Sequence, residues 1–288
     1  EKSTTKEKDR SILMFYIGNH VSSSNGFEAM GKKTTELGGN TFAFFTRNPR
    51  GSRAKEENLQ DCQAAMKAMQ DSGFGKLVAH GSYTMNLCTK DPEAREFACD
   101  ILCDDLRRMA ALPGNFYNFH PGSHVGQGTE TGISQICDAL KKALAPSYPV
   151  TVLLEAMAGK GSEIGGSFSE LKAIIDGVGS DNVGVCLDTC HIYDAGYDIV
   201  NDLDGVLAEF DRIIGLDKLC ALHLNDSKNP YASHKDRHAC IGDGSLGVET
   251  FRSIVNHPAL QGKPMILETP NELPGYAQEI KLLRSLAE

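Results

Sequence analysis

The sequence contains no apolar run long enough to span a membrane. A transmembrane helix needs about 20 consecutive apolar residues, and the longest stretches here, Ile12 to Ile17 and Thr151 to Leu154 with their neighbours, fall far short. No charged-then-apolar N-terminal segment precedes a small-residue cleavage site, so the expected setting is inside the cell. The chain also lacks any C-x-x-C pair. Its nine cysteines are odd in number and scattered, which argues against a zinc ribbon, a thioredoxin-like motif or a disulfide framework. They read as reduced, buried, small apolar side chains. Positive charge is in short supply, with 29 Lys and Arg against 38 Asp and Glu and a net charge of −9. At face value that argues against a polyanionic partner. Divalent cations gathered at one spot would reverse the local field, so global charge leaves the partner open.

What the chain does have is a regular alternation of short apolar runs and helical patterns. Glu1 to Ser11 is polar and without apolar period, and reads as a solvated tail. From there the expected strands are Ile12 to Ile17, Thr41 to Phe45, Lys76 to Ala79, Phe116 to Phe119, Thr151 to Leu154, Val183 to Leu187, Leu219 to Leu222 and Pro264 to Leu267. Between and after them lie helical patterns at Gly26 to Leu37, Lys55 to Gln70, Pro92 to Ala111, Ile133 to Leu144, Phe168 to Ile175, Asn201 to Ile214, Val248 to Val255 and Tyr276 to Leu286. Eight such units with short links and no break in composition predict one α/β domain over residues 12–288, a single (β/α)8 TIM barrel.

The last six strands end in His80, His120, Glu155, Asp188, His223 and Glu268. In a parallel barrel the C-terminal ends of all strands meet at one rim, so these residues should converge although they are far apart in the chain. Imidazoles mixed with carboxylates, without cysteine, suit zinc or manganese better than calcium or magnesium. There are more donors than one ion needs, and Glu155, with two oxygens, is the natural bridge between two ions that together polarise a phosphate. Asp188-Thr189-Cys190-His191 places a second imidazole where the sixth strand gives way to an expected loop. Asp236-Arg237-His238, in the long loop after the seventh strand, could join His191 in a third site.

Four ordered segments, His120-Pro121-Gly122-Ser123, Leu187-Asp188-Thr189-Cys190-His191, His223-Leu224-Asn225-Asp226 and Asp236-Arg237-His238, resemble the signature segments of the endonuclease IV family of apurinic/apyrimidinic endonucleases. The resemblance runs from about Tyr16 to the C-terminal helix. It implies three zinc ions, with manganese replacing zinc in part. His80, His120 and Glu155 would hold the first, Glu155, Asp188, His223 and Glu268 the second, and His191, Asp236 and His238 the third. It further implies incision of duplex DNA on the 5′ side of an abasic site, with Glu155 and Glu268 as catalytic carboxylates around a metal-bridging hydroxide. The products would be a 3′-hydroxyl and a 5′-deoxyribose phosphate, and 3′ blocking groups would also be removed. Asn48, Arg50 and Tyr83 would contact the DNA, with Arg47, Arg53 and Lys55 as further phosphate contacts. The protein is expected to be a monomer without membrane partners, cytoplasmic in a bacterium or nuclear or mitochondrial in a eukaryote.

Two departures from the family pattern stand out. Ala156-Met157 follows Glu155 where Asn-Thr is common, and Ser52 stands where an aromatic residue is common, which bears on the metal surroundings and on the DNA-inserting loop respectively. His20 and His124 read as lying behind the ligands or facing DNA, His257 as without functional work, and His234 has no assignment. Two other readings of the chain are a single-metal sugar isomerase or epimerase, which would use only Glu155, Asp188, His223 and Glu268, and a non-catalytic binder of damaged DNA.

Overall fold

The computed structural model describes residues 15–287. The tail expected at Glu1 to Ser11 and the start of the expected first strand lie outside the described residues. Eight parallel strands, β1 (Tyr16–Asn19), β2 (Ala43–Phe45), β3 (Val78–His80), β4 (Phe116–Phe119), β5 (Thr151–Ala156), β6 (Val183–Asp188), β7 (Leu219–Leu224) and β8 (Pro264–Leu267), form one sheet. They are ordered β1-β8-β7-β6-β5-β4-β3-β2, as right-handed strand-helix crossovers require when a parallel sheet rolls up. Closure between β1 and β2 rests on one parallel bridge, His20 to Ala43, where the Val21 amide donates to the Ala43 carbonyl at 2.8 Å. Gly18 permits this approach, because a Cβ there would lie 1.7 Å from the Thr41 carbonyl oxygen. The molecule is therefore the expected TIM barrel, nearly closed.

Around the sheet lie α1 (Phe27–Glu36), α2 (Leu59–Asp71), α3 (Pro92–Met109), α4 (Thr129–Leu144), α5 (Phe168–Val178), α6 (Thr189–Ala195), α7 (Leu203–Ile213), α8 (Gly247–Asn256) and α9 (Leu273–Leu286). Among the described residues no helix is long and apolar enough to cross a membrane. Two differences from the sequence reading matter for the site. The chain after Asp188 is a helix, α6, and not a loop: Asp188 caps it by accepting the His191 amide at 3.0 Å, which is the ordinary work of an aspartate at a helix start. The long segment after β7 also contains a short antiparallel ladder, in which Asp226–Ser227 pairs with His238–Ala239.

The core has two parts. A large one lies between the sheet and the helices, and a small one fills the barrel with Ala43, Val78, Phe116, Leu153, Cys186, Ala221 and Ile266. Successive side chains on a strand alternate between the two. Two residues beyond each of six interior positions come His80, Asn118, Glu155, Asp188, His223 and Glu268. The apolar floor of the barrel thus carries a polar layer directly above it.

Candidate metal centre

Glu155, fully buried, is the hub of this layer. Its Oε2 lies 3.2 Å from His80 Nε2 and 3.4 Å from His120 Nε2, while its Oε1 lies 3.2 Å from His223 Nδ1 and 3.3 Å from His191 Nδ1. His223 Nδ1 also faces Glu268 at 3.0 Å and Asp188 at 3.9 Å. The donor atoms of His80, His120 and Glu155 lie within 4.8 Å of one another, and so do those of Glu155, Asp188, His223 and Glu268. These groups coincide with the two inner sets that the family resemblance implies, sharing Glu155.

The orientation of the imidazoles decides what the layer can do. His80 Nδ1 donates to the Gly81 carbonyl at 2.7 Å, His191 Nδ1 to Ala156 at 3.1 Å and His238 Nδ1 to Glu268 at 3.1 Å. With Nδ1 carrying the hydrogen, the neutral ring turns the Nε2 lone pair outward. In all three that lone pair faces carboxylate oxygen. Such an arrangement is repulsive unless a cation lies between, and backbone-anchored imidazoles with a free nitrogen are how proteins orient metal ligands. The residues present therefore fit a divalent metal. Protons can stand in for part of that charge. Burial by itself lowers an imidazole pKa, but at His191 the carboxylates of Asp188, Asp236 and Glu155 outweigh it and hold the pKa well above the usual value. At His223, Cys186, Glu268 and Glu155 do the same. Burial would raise the carboxyl of Glu155, yet His223 and His120 pull it well below its usual range, and His223 and His20 do so for Glu268.

The outer set is arranged differently. Asp236 Oδ1 lies 3.2 Å from His191 Nε2 and 3.4 Å from His238 Nε2, so the three expected donors meet through Asp236. The mutually close trios are Asp188 with His191 and His238, and Cys190 with Asp236 and His238. Cys190 figures in the sequence only as part of a motif, and its sulfur is an additional neighbour of this set. The loop that carries Asp236 is strained: Ala232, His234 and Asp236 all have φ between 53° and 57°, a left-handed conformation that costs non-glycine residues on the order of 1–3 kcal/mol each.

Several functional neighbours carry no sequence signal of their own. Asn118 donates to Glu155 Oε2 at 2.6 Å, and Asn225 donates to Asp188 Oδ2 at 2.7 Å while its Oδ1 accepts the Glu268 amide. They fix the carboxylates that the imidazoles face. Asn118 is masked in the sequence by His120, which is expected to end the fourth strand but lies just past the end of β4; only counting alternate residues from the barrel floor singles Asn118 out. His20 lies behind the layer, its Nε2 2.5 Å from Glu268 Oε1 and its ring stacked on Phe45 at 4.8 Å. His124 accepts the Gly128 amide, His234 Nδ1 donates to Ala158, and His257 caps a short turn and pairs with Asp204. At the Ala156 departure the backbone carbonyl accepts from His191.

Beside the layer, Tyr83 is 53% exposed, with its ring 5.4 Å from His80 and 5.6 Å from His120. The Tyr83 amide and the Ser82 hydroxyl both donate to the Pro49 carbonyl at 3.0 Å, which pins the Asn48 to Arg50 segment next to the site. Arg50 and Asn48 are exposed, and Asn48 Oδ1 accepts the Arg50 amide in a tight turn. A groove of about 970 Å³ runs from His20 and Phe45 past Asn48 and Pro49 to Arg53 and Lys55. Arg47 does not belong with these phosphate-contact candidates. It is buried, with its guanidinium 2.8 Å from both Asp104 and Asp105 and 2.6 Å from the Ser52 carbonyl. Charge composition cannot distinguish an arginine facing solvent from one buried against two aspartates 57 and 58 residues away.

Residues 32–286 match the family described as the xylose isomerase-like TIM barrel. A protein of Alkaliphilus oremlandii named probable endonuclease 4 is 60% identical over 272 residues, covering 94% of this chain and 97% of that protein. The solved endonuclease IV of Thermus thermophilus superposes with a TM-score of 0.82 at 33% identity, covering 94% of this chain and 98% of that one. A solved L-ribulose 3-epimerase, at 16% identity and a TM-score of 0.67 over 94% and 95% of the chains, shares the fold alone. With these likenesses extending over nearly all of both partners, the chain belongs to the endonuclease IV family of the xylose isomerase-like TIM barrels.

Proposed function

We propose that this protein is a metal-dependent DNA-repair endonuclease that hydrolyses the phosphodiester bond 5′ to abasic sites in duplex DNA, leaving a 3′-hydroxyl and a 5′-deoxyribose phosphate. The observation that carries the reading is the set of backbone-anchored imidazoles whose free nitrogens face Glu155, Asp188 and Asp236, beside an exposed Tyr83 and Arg50. Zinc would be held by His80, His120 and Glu155, by Glu155, Asp188, His223 and Glu268, and by His191, Asp236 and His238, with manganese able to replace it in part. Bound there, the ions would supply Lewis acidity to the phosphate and lower the pKa of water. Glu155 contributes one oxygen to each inner set, and the Glu268 carboxylate is oriented by His20 while its backbone amide donates to the Asn225 side-chain oxygen. Asn118 and Asn225 keep the Glu155 and Asp188 carboxylates in position without reorganisation, which is where electrostatic catalysis gains most.

An abasic nucleotide has no base to stack, so it is the least costly point at which to bend and open a duplex. Asn48, Arg50 and Tyr83 stand where side chains would enter that gap, and Arg53 and Lys55 line the adjoining groove for phosphates. The same centre would remove 3′ blocking groups. A single-metal sugar isomerase would leave His80, His120, Asp236 and His238 without a role.

Incision of a labelled duplex carrying one abasic-site analogue, with elemental analysis of the same preparation, tests the reading. Cleavage on the 5′ side with close to three metals per chain is expected. No cleavage, with one metal per chain and turnover of a ketose, would overturn it in favour of the isomerase. Arg50→Ala is expected to weaken binding to an uncleavable abasic duplex about tenfold, or ~1.4 kcal/mol, with turnover of bound substrate little changed. Unchanged affinity by fluorescence anisotropy would remove Arg50 from the interface.

A further inference from the structure

Asp194 is a buried carboxylate that the reaction outlined above does not use. It is fully buried and forms no ion pair among the described residues. Its Oδ1 accepts from the Ser227 hydroxyl at 2.7 Å, and its Oδ2 accepts from the Asn229 amide group at 3.0 Å and from the Asp236 backbone amide at 2.9 Å. A carboxylate is costly to bury unless its oxygens are well supplied with donors. Here the donors come from the beginning and the end of one loop, the segment between the two ladder strands.

We infer that Asp194 is a positioning residue for the outermost metal set, holding the loop from Ser227 to His238 in the shape that presents Asp236 to His191 and His238. The inference rests on the three-set reading above. Three further observations support it. The same loop carries the left-handed residues Ala232, His234 and Asp236, a conformation that persists only where surrounding contacts over-determine it. The Asp194 and Tyr193 carbonyls accept the amides of His234 and Ala232 at 3.0 and 3.2 Å, so one short stretch of α6 secures the loop at its middle as well as its ends. Finally, Asp188, His191 and Asp194 are spaced by three residues on and before the first turns of α6. One helix therefore sets the distance between a donor of the inner set, a donor of the outer set and the anchor of Asp236. The contacts that fix the inner sets, through Gly81, Asn118 and Asn225, do not involve Asp194.

The experiment compares Asp194→Ala with Asp194→Asn by metal content and by stepwise chelator competition. Alanine leaves three loop donors unpartnered, and the outermost cation should bind about 10–100-fold more weakly, so the purified variant should hold two metals where the wild type holds three. Asparagine can still accept from Asn229 and Asp236 while donating to the Ser227 oxygen, and should restore the third. A merely structural role would not produce a loss confined to one equivalent. Should Asp194→Ala fail to fold, Asn229→Ala, which removes one loop donor only, must weaken the outermost cation selectively. Three metals held with wild-type affinity in Asp194→Ala, or an equal weakening of all three in either variant, overturns the inference. A wild type holding fewer than three refutes the three-set reading itself.

Discussion

Glu155→Ala is expected to lower incision by at least about 10³-fold, equivalent to ~4 kcal/mol of barrier. The size of the effect follows from position. Glu155 is fully buried, and its two oxygens face four imidazoles at 3.2 to 3.4 Å. Its removal takes a donor from both inner sets and leaves His223 and His120 without the charge that balances them. Metal content should fall by about two per chain while the outermost set, whose contacts run through Asp236, is spared. Asn118 loses its acceptor too. Glu155→Gln separates charge from shape: it keeps the volume and one oxygen, and should recover folding without recovering cleavage. Near wild-type incision by Glu155→Ala, in a preparation with full metal content, would sink the bridging role and with it the assignment of the inner sets.

Arg47→Ala is expected to destabilise the fold by about 3–5 kcal/mol, the cost of removing one partner from a buried ion pair. For a chain of this size that is a fall in melting temperature of roughly 10 °C. Asp105 is fully buried and would keep the Tyr117 hydroxyl, at 2.7 Å, as a partner but no cation. Burial already pushes its carboxyl up despite Arg47, so the variant should take up a proton there and remain a weakened, neutral structure. Arg47→Lys should recover little, because one ammonium cannot reach Asp104, Asp105 and the Ser52 carbonyl as the guanidinium fork does. Loss of the Ser52 contact also loosens the segment carrying Asn48 and Arg50, so DNA affinity should fall alongside stability. If thermal melting were unchanged while affinity dropped and the salt dependence flattened, Arg47 would be a phosphate contact after all.

The contrast between Arg47 and Arg50 shows where reading the chain alone stops. Both sit in one short basic stretch, Thr46-Arg47-Asn48-Pro49-Arg50, and composition treats them alike. One is buried against carboxylates presented by α3 and the other is exposed beside Tyr83. Similarly, the segment after Asp188, expected as a loop, is the helix α6. Its cap is readable in Asp188 itself, but the same carboxylate is also a metal donor, and residue type alone does not separate the two roles that it fills at once.

By itself the sequence determined the barrel and five members of its polar rim. Parallel strands buried on both faces are short apolar runs, each run ends at the same rim, and so the residue that ends a run is placed in space by local pattern alone. His80, Glu155, Asp188, His223 and Glu268 follow from that rule. Only the tertiary structure decided which nitrogen of each imidazole faces the centre, that Asn118 and Asn225 hold the carboxylates, that Arg47 turns inward, and that Asp194 restrains the strained loop bearing Asp236. Each of these depends on a backbone carbonyl, an amide or a buried charge supplied from elsewhere in the chain. A one-dimensional pattern does not carry that information, because hydrogen-bond partners and burial are properties of the packed whole.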